Sequence, residues 1–246
     1  MLRRAPTLAE QVKSHIKDRI VNNEFVDGRV PSETDLADVL GVSRTTVRDA
    51  LSRLEMEGTI VRKQGAGTFV VKPGLQIKSR LEEIWSYEAV LRAHGYIPST
   101  QVLGVVERPS DNAFNGVSVA VDLNLAPDDA VLAVEKLFLE DDNPVILTHN
   151  FIPIRLIVAP YRKEDFHRPV YEYLEAMCRQ QLAYYLSDLV PTIASSALVQ
   201  TLRLTPGAAV LSFEEIGYNE DNEPILKAYS FFRDDLLRFR LLRRRM

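Results

Sequence analysis

Arg44, Thr45, Thr46 and Arg48 bring two guanidiniums and two hydroxyls within five residues of one another. Guanidiniums pair bidentately with guanine O6 and N7, and threonine suits a phosphate oxygen or the thymine methyl. That is the chemistry of reading duplex DNA. Downstream, Gln64-Gly65-Ala66-Gly67 makes a short tip. Its glycines carry no side chain, so the backbone can come close to phosphates or a minor groove. Other reactive types are scattered. Glu135 and Glu214 sit at equivalent places in an internal repeat, so they suit either acid/base work or simple duplication. His149 stands beside Thr148 in a strand-like run, while His15, His94 and His167 show no zinc spacing. There is no Ser/His/Asp order, no phosphate-cradling glycine loop and no dinucleotide fingerprint. No metal and no cofactor is expected.

The elements that must hold the basic cluster are legible. Thr7-Leu8-Ala9-Glu10 is a capping-box pattern, and Leu8, Val12, Ile16 and Ile20 follow at helical spacing. Asn22, Asn23, Asp27 and Gly28 end that helix. Ser32 caps a second, with acids in its first turn and Leu36, Val39 and Leu40 as its apolar positions. Gly41 stops it. Ser43 caps a third, whose inner stripe is Val47, Ala50, Leu51 and Leu54 and whose outer face carries the arginines and threonines. After Gly58, Ile60-Val61-Arg62-Lys63 and Thr68-Phe69-Val70-Val71 read as two strands around the glycine tip. Two helices joined by a glycine turn, with a hairpin behind them, make a winged helix-turn-helix.

The runs Val30-Pro-Ser-Glu-Thr-Asp-Leu-Ala, Gly41-Val-Ser-Arg-Thr-Thr-Val-Arg-Asp-Ala-Leu, Glu57-Gly and Gln64-Gly-Ala-Gly-Thr-Phe-Val resemble the GntR family of bacterial regulators over residues 7–71. The resemblance implies DNA contacts from Ser43, Arg44, Thr45, Thr46 and Arg48 on the recognition helix and from Gln64 and Gly65 on the wing. One position departs: the family has Arg after Pro-x-Glu, where this chain has Thr34.

Lys72-Pro73-Gly74-Leu75-Gln76-Ile77-Lys78 breaks both helical and strand patterns. The expected organisation is a DNA-binding domain over 1–72, a linker over 73–79 and a second domain over 80–246. Charge divides there too. Through residue 78 the chain has 13 basic and 10 acidic residues, and after it 17 and 24, although the whole carries a net −4. A basic head on an acidic body fits DNA contact plus a separate regulatory part. The single cysteine, Cys178, suits a reducing cytoplasm, and the chain holds no apolar run long enough to cross a membrane. The basic tail from Arg238 reads as a solubilising end.

Residues 123–147 and 202–227 repeat each other: Leu123-Asn-Leu-Ala-Pro against Leu202-Arg-Leu-Thr-Pro, Pro127 with Pro206, Val131 with Val210, Glu135 with Glu214. Each copy reads as short helix, turn, strand, hairpin turn and strand. Further helices are expected near 79–94 and 168–178, and strands near 101–107 and 184–190. The class is α+β, an antiparallel sheet of two similar halves with helices against it. Leu91-Arg-Ala-His-Gly-Tyr-Ile-Pro-Ser-Thr, Glu140-Asp-Asp-Asn-Pro and Phe231-Phe-Arg-Asp-Asp resemble the UTRA effector-binding domain of the HutC subfamily. This implies a chorismate-lyase-like fold without catalysis and a small-molecule pocket. In sugar-phosphate-responsive relatives two arginines precede the first acidic turn. Here Lys136 and Phe138 stand there, and Phe232-Arg233-Asp234-Asp235 replaces Tyr-Arg-Gly-Asp, which argues against a doubly clamped phosphate. Ser99, Thr100, Lys136, Tyr229 and Arg233 are the pocket candidates. The expected protein is a homodimeric repressor that leaves palindromic double-stranded operator DNA when an effector binds. The competing expectations are a lyase acting on an aromatic acid, and an activator.

Overall fold

The structure, a computed structural model, describes residues 6–77, 80–114, 117–126 and 128–243. It divides into one unit running to Arg80 that also takes in the chain from Arg240, and a second unit, Leu81–Phe239. Three expectations from sequence lie outside the described residues: the start of the 79–94 helix, Pro127 in the repeat, and the last three residues of the basic tail.

The first unit is built on helix caps. α1 (Leu8–Val21) begins at Thr7, whose hydroxyl accepts the Glu10 amide at 3.3 Å. After the two-residue strand β1 (Arg29–Val30), α2 (Glu33–Leu40) begins at Ser32, which exchanges bonds with Asp35 as a capping box. Gly41 closes α2 at φ 65°, a conformation that spares glycine the Cβ clash other residues meet. α3 (Arg44–Met56) begins at once from Ser43. Val47, Ala50, Leu51 and Leu54 bury against Val12, Ile16 and Ile20 of α1 and Leu36 of α2. Val39 does not join them and is 75% exposed. At 100° per residue Leu36, Ala37 and Leu40 fill the inward arc and leave Val39 outside. β2 (Ile60–Lys63) and β3 (Gly67–Val70) form the hairpin, and β1 adds a third strand on β3, so the expected two-stranded wing is three-stranded.

One carboxylate ties α1 to the end of α3. Glu57 is 9% exposed and receives Lys13 at 2.8 Å and Lys17 at 3.1 Å. Burial pushes its carboxyl up, but the hydrogen bonds from the two lysines outweigh that and hold it below the ordinary value.

The second unit is a six-stranded antiparallel sheet. A short α4 (Tyr87–Ala93) precedes β4 (Pro98–Pro109), and the hairpin of β5 (Ala130–Glu140) and β6 (Asn143–Pro153) follows. Then come α5 (Val170–Tyr173), β7 (Tyr184–Ile193), α6 (Ser196–Thr201), and the hairpin of β8 (Ala209–Tyr218) and β9 (Pro224–Arg233). The order β4-β5-β6-β9-β8-β7 sets two three-stranded halves side by side, joined at β6–β9. The internal repeat is therefore visible as architecture, down to Asn124 and Arg203, equivalent residues that both take positive φ, 51° and 52°. The first hairpin turns on Asp141 and Asp142, both at positive φ, as a two-residue turn matching strand twist requires.

Two helices differ from expectation. The 79–94 helix is only Tyr87–Ala93, capped by Ser86; residues 81–86 before it form a turn and irregular chain. The 168–178 helix widens after Tyr173 into a π turn over Leu174–Cys178, closed by Arg179 at φ 53°. In the first repeat copy, residues 120–124 form turns, whereas the second copy has α6.

Both faces of the sheet are covered. On the first, Val131, Leu147, Phe151 and Phe231 pack with Val119, Leu123, Leu198 and Leu202. On the second lie two separate clusters, Leu132, Ile152, Phe166 and Tyr173 in one, and Phe138, Ile146, Phe232 and Leu91 in the other. Among the described residues no helix is long and apolar enough to cross a membrane.

Replacing Glu57 with Gln should destabilise the first unit by about 1–2 kcal/mol at neutral pH, through loss of charge-assisted hydrogen bonds. A carboxyl held low in the folded state stabilises above its unfolded value and loses that contribution as pH falls through the folded one. Urea unfolding of both proteins should thus show the full gap at pH 7 and convergence at acid pH below the ordinary carboxylate range. An equal gap at both pH values would refute the ion-pair account.

Candidate nucleic-acid interface and ligand cavity

Ser43 does two things at the start of α3. Its hydroxyl accepts the Thr46 amide at 3.1 Å and lies 2.8 Å from the Thr46 hydroxyl. Arg44 and Thr45 follow in the first turn, both exposed, and Thr46 is half-buried. The amide-rich end of α3 adds a partial positive charge to that turn. Arg48, one turn on, is held: its guanidinium grips Glu33 at the start of α2, Nη2 to Oε2 at 2.9 Å and Nε to both oxygens at 3.1 and 3.3 Å. The bond from Arg48 holds the Glu33 carboxyl below its ordinary value, against a smaller upward push from burial.

Arg62 braces the same region from β2. It donates to the Arg48 carbonyl at 3.2 Å and to Ser52 Oγ at 3.3 Å, and Glu55 accepts its backbone amide at 2.9 Å. This pins the first wing strand to α3. Beyond it Gln64 and Gly65 are exposed, Gly65 at φ 72° with open space where a Cβ would point. Lys63 lies over the Phe69 ring at 5.1 Å. The structure thus brings Arg44, Thr45 and Arg48 onto one exposed stretch of helix, with Ser43 and Thr46 bonded into its cap. Sequence reasoning missed Glu33 and Arg62 because the pairing spans 15 residues and leaves no periodic mark.

In the second unit, polar side chains interrupt the second face of the sheet between its two apolar clusters. The register puts Lys136, Thr148 and Ser230 in one cross-strand row, and Asn150, Ala228, Glu215 and Ser187 in the next. Lys136, Thr148, Asn150, Ser230 and Glu215 are all buried. Above them opens a cavity of about 490 Å³, walled also by residues 81–88, by Pro169, Val170 and Tyr171, and by β7. Buried polar groups in a sheet covered on both sides need partners or a polar space. Some are met within the protein. Tyr87 donates to Ser230 Oγ at 2.7 Å, Ser187 to Glu215 Oε1 at 2.6 Å, and Asn150 to Thr148 Oγ1 at 3.3 Å. Lys136 donates to the Arg168 carbonyl at 2.7 Å. Burial pushes the Lys136 ammonium down to about 8, with nearby Glu88 pulling the other way. Burial pushes the Glu215 carboxyl up.

Of the five pocket candidates from sequence, Lys136 lines this cavity. Thr100 lies beside it, bonded to Glu88 at 3.2 Å. Ser99 is exposed on β4. Tyr229 packs in the core of the first face, under Phe114 at 4.6 Å. Arg233 donates to the Pro144 and Leu202 carbonyls and grips Asp235, which fastens the end of β9 to the neighbouring hairpin. The cavity residues not foreseen are Tyr87, Asn150, Ser187, Glu215 and Ser230; of these, Asn150, Glu215 and Ser230 had one signal, polar types inside largely apolar strand runs. Glu135 and Glu214 share a row on the first face with His149 and Tyr229 between them. Three strand spacings part the backbones of the two residues, about 14 Å, with two side chains between them, which does not bring the carboxyls together as a pair. His149 is pushed down to about 4 by burial, with Arg108 adding to it, so its ring is neutral.

Comparison with known proteins assigns both parts. Residues 8–70 match the description "Bacterial regulatory proteins, gntR family", and residues 93–238 match "UTRA domain". The transcriptional repressor NagR of Bacillus subtilis (strain 168) is 26% identical over 230 residues, 93% of this chain and 91% of that protein. The histidine utilization repressor of Pseudomonas putida is 30% identical over 204 residues, 82% of this chain and 74% of that protein. The crystal structure of the possible transcriptional regulator YydK from Bacillus subtilis shares the fold with a TM-score of 0.74 at 17% identity, covering 97% of this chain and 100% of that one. PhnF from Mycobacterium smegmatis follows at 0.58 and 21%, covering 95% and 99%.

If Arg48 contacts DNA, Glu33 competes with the duplex for its guanidinium. Changing Glu33 to Gln should free that guanidinium for a phosphate, steepening the salt dependence of non-specific duplex binding by about one contact's worth, a slope change near −0.9. Fluorescence anisotropy over a salt series reads it, and an unchanged slope would mean that Arg48 does not reach the backbone.

Proposed function

The chain belongs to the gntR family of bacterial regulatory proteins and carries a UTRA domain, and from that premise we propose that it is a homodimeric repressor whose operator grip is released by a small molecule bound in the cavity over the C-terminal sheet. It is a transcription regulator and not an enzyme, and its helix-turn-helix binds DNA. Residues 1–72 serve as the DNA-binding head, 73–79 as linker and 80–246 as the effector and dimer part. Arg44, Thr45 and Arg48, set by the Ser43 cap, take the base edges and phosphates of the major groove, with Ser43 and Thr46 beside them. Gln64 and Gly65 take the neighbouring backbone. Two heads on a two-fold axis read half-sites about one helical turn apart. A ligand that prefers the arrangement unable to reach both half-sites lowers occupancy by its differential affinity.

The observation that supports the ligand-controlled reading best is the buried polar floor of the 490 Å³ cavity, Lys136, Thr148, Asn150, Ser230 and Glu215, in a sheet otherwise packed with apolar side chains. A space of that size with few convergent polar groups suits a small molecule. The reducing cytoplasm is the setting that this function requires.

Genomic fragments retained by the purified protein should contain inverted repeats. Arg44→Ala should lose roughly ten- to a hundredfold in affinity for them, with thermal stability unchanged. A gel-shift titration with equal affinity for both proteins would remove Arg44 from the interface, and retained fragments without two-fold repeats would remove the dimer.

A further inference from the structure

We propose that the ligand of the C-terminal cavity carries a positively charged nitrogen, seated against Glu215 and the faces of the surrounding aromatic rings. This rests on the reading of the cavity as the effector site, and names the chemistry that the site selects.

Carboxyl side chains outnumber basic ones among the described residues that line the cavity. Glu82, Glu83, Glu88 and Glu215 line the cavity, against one basic residue, Lys136. That lysine is already committed. Its ammonium donates to the Arg168 carbonyl at 2.7 Å, lies 5.1 Å from the Phe138 ring and 5.9 Å from the Tyr173 ring, and has Glu88 nearby. No arginine lines the cavity among the described residues. Arginine is the side chain whose fork matches carboxylate and phosphate, so a bidentate grip on an anion is missing. An anion here would share the space with the Glu88 and Glu215 carboxyls and have one ammonium, already bonded to a backbone carbonyl, to hold it.

A cation meets the opposite conditions. Trp85, Tyr87, Tyr171, Tyr185 and Phe213 line the same space, and the negative faces of aromatic rings attract ammonium groups, most strongly when water is excluded. Glu215 stands on the floor, 8% exposed, with Ser187 bonded to one oxygen. A carboxylate buried to that degree is costly to keep without an opposite charge. Tyr87 also bonds the Glu215 carboxyl, and Lys227, on the neighbouring strand, pulls it down only in part, because its ammonium is paired with Asp122 at 2.9 Å on the opposite face. The incoming nitrogen adds an opposite charge on Glu215's own face of the sheet. Thr148, Asn150 and Ser230 remain for hydroxyls or amides elsewhere on the ligand.

The test uses the full-length protein and two matched probe pairs: choline with its neutral isostere 3,3-dimethylbutan-1-ol, and putrescine with 1,4-butanediol. Inorganic phosphate serves as the anion. Calorimetric titration should give at least one cation about tenfold tighter binding than its neutral partner. That preference should vanish in Glu215→Gln and persist in Glu214→Gln, the adjacent residue on the opposite face, with melting temperatures of both variants near wild type. The proposal is overturned if the neutral partners bind as well as the cations, if phosphate binds tightest, or if neither cation binds at millimolar concentration. It is also overturned if the preference survives Glu215→Gln. Operator release is measured alongside. Glu215-dependent cation binding that leaves DNA bound would keep the charge assignment and remove the effector reading. An anion that binds this cavity and releases DNA would do the reverse.

Discussion

A β-sheet packed on both faces offers its side chains no bulk water, and this constraint shapes the C-terminal unit. β9 is buried along nearly its whole length, and β5 and β6 differ little. In such strands almost every position must be apolar. Where Lys136, Thr148, Asn150, Ser230 and Glu215 break the rule, each needs a bonded neighbour or a polar space, and the fold provides both. The apolar clusters on that face part around the polar rows. The cavity is the gap between them, walled in part by residues 81–88.

The duplicated halves make this possible. Six strands ordered β4-β5-β6-β9-β8-β7 join through the last strand of each half, so the centre of the sheet belongs equally to both copies. The copies have since diverged. Positions equivalent by descent keep their backbone, as Asn124 and Arg203 do at positive φ, while their side chains serve different ends. Glu135 and Glu214 are the clearest case. Their matching places in the repeat suggested a working pair, yet each lies in its own half of the sheet, with His149 and Tyr229 and their covering Phe114 between them.

In the N-terminal unit the organising force is charge held at short range. Glu57 gathers two lysines where α1 meets the end of α3, and Glu33 gathers Arg48 with Arg62 close by. The first pair is inside and ties helices together. The second is at the surface, where an ion pair is worth little to stability. Its effect is to hold the Arg48 guanidinium in one place at the start of α3 with its charge balanced.

The sequence by itself determined most of the order of the head, though not β1 or the outward turn of Val39: caps at Thr7, Ser32 and Ser43, stops at Gly41 and Gly58, most of the apolar stripes, and the exposed arginines and threonines. Each of these acts on backbone within one turn of itself, so spacing along the chain carries the information. The repeat and its hairpin turns were legible for the same reason. Tertiary structure alone decided which face of the sheet each strand residue meets. Lys136 and Tyr229 both read as pocket residues, and the register sends them to opposite faces. Side chains alternate along a strand, so a one-residue change in pairing exchanges the faces. That pairing is made by strands tens of residues away, and so is the choice of Arg48 for Glu33 and of Arg233 for the Pro144 and Leu202 carbonyls.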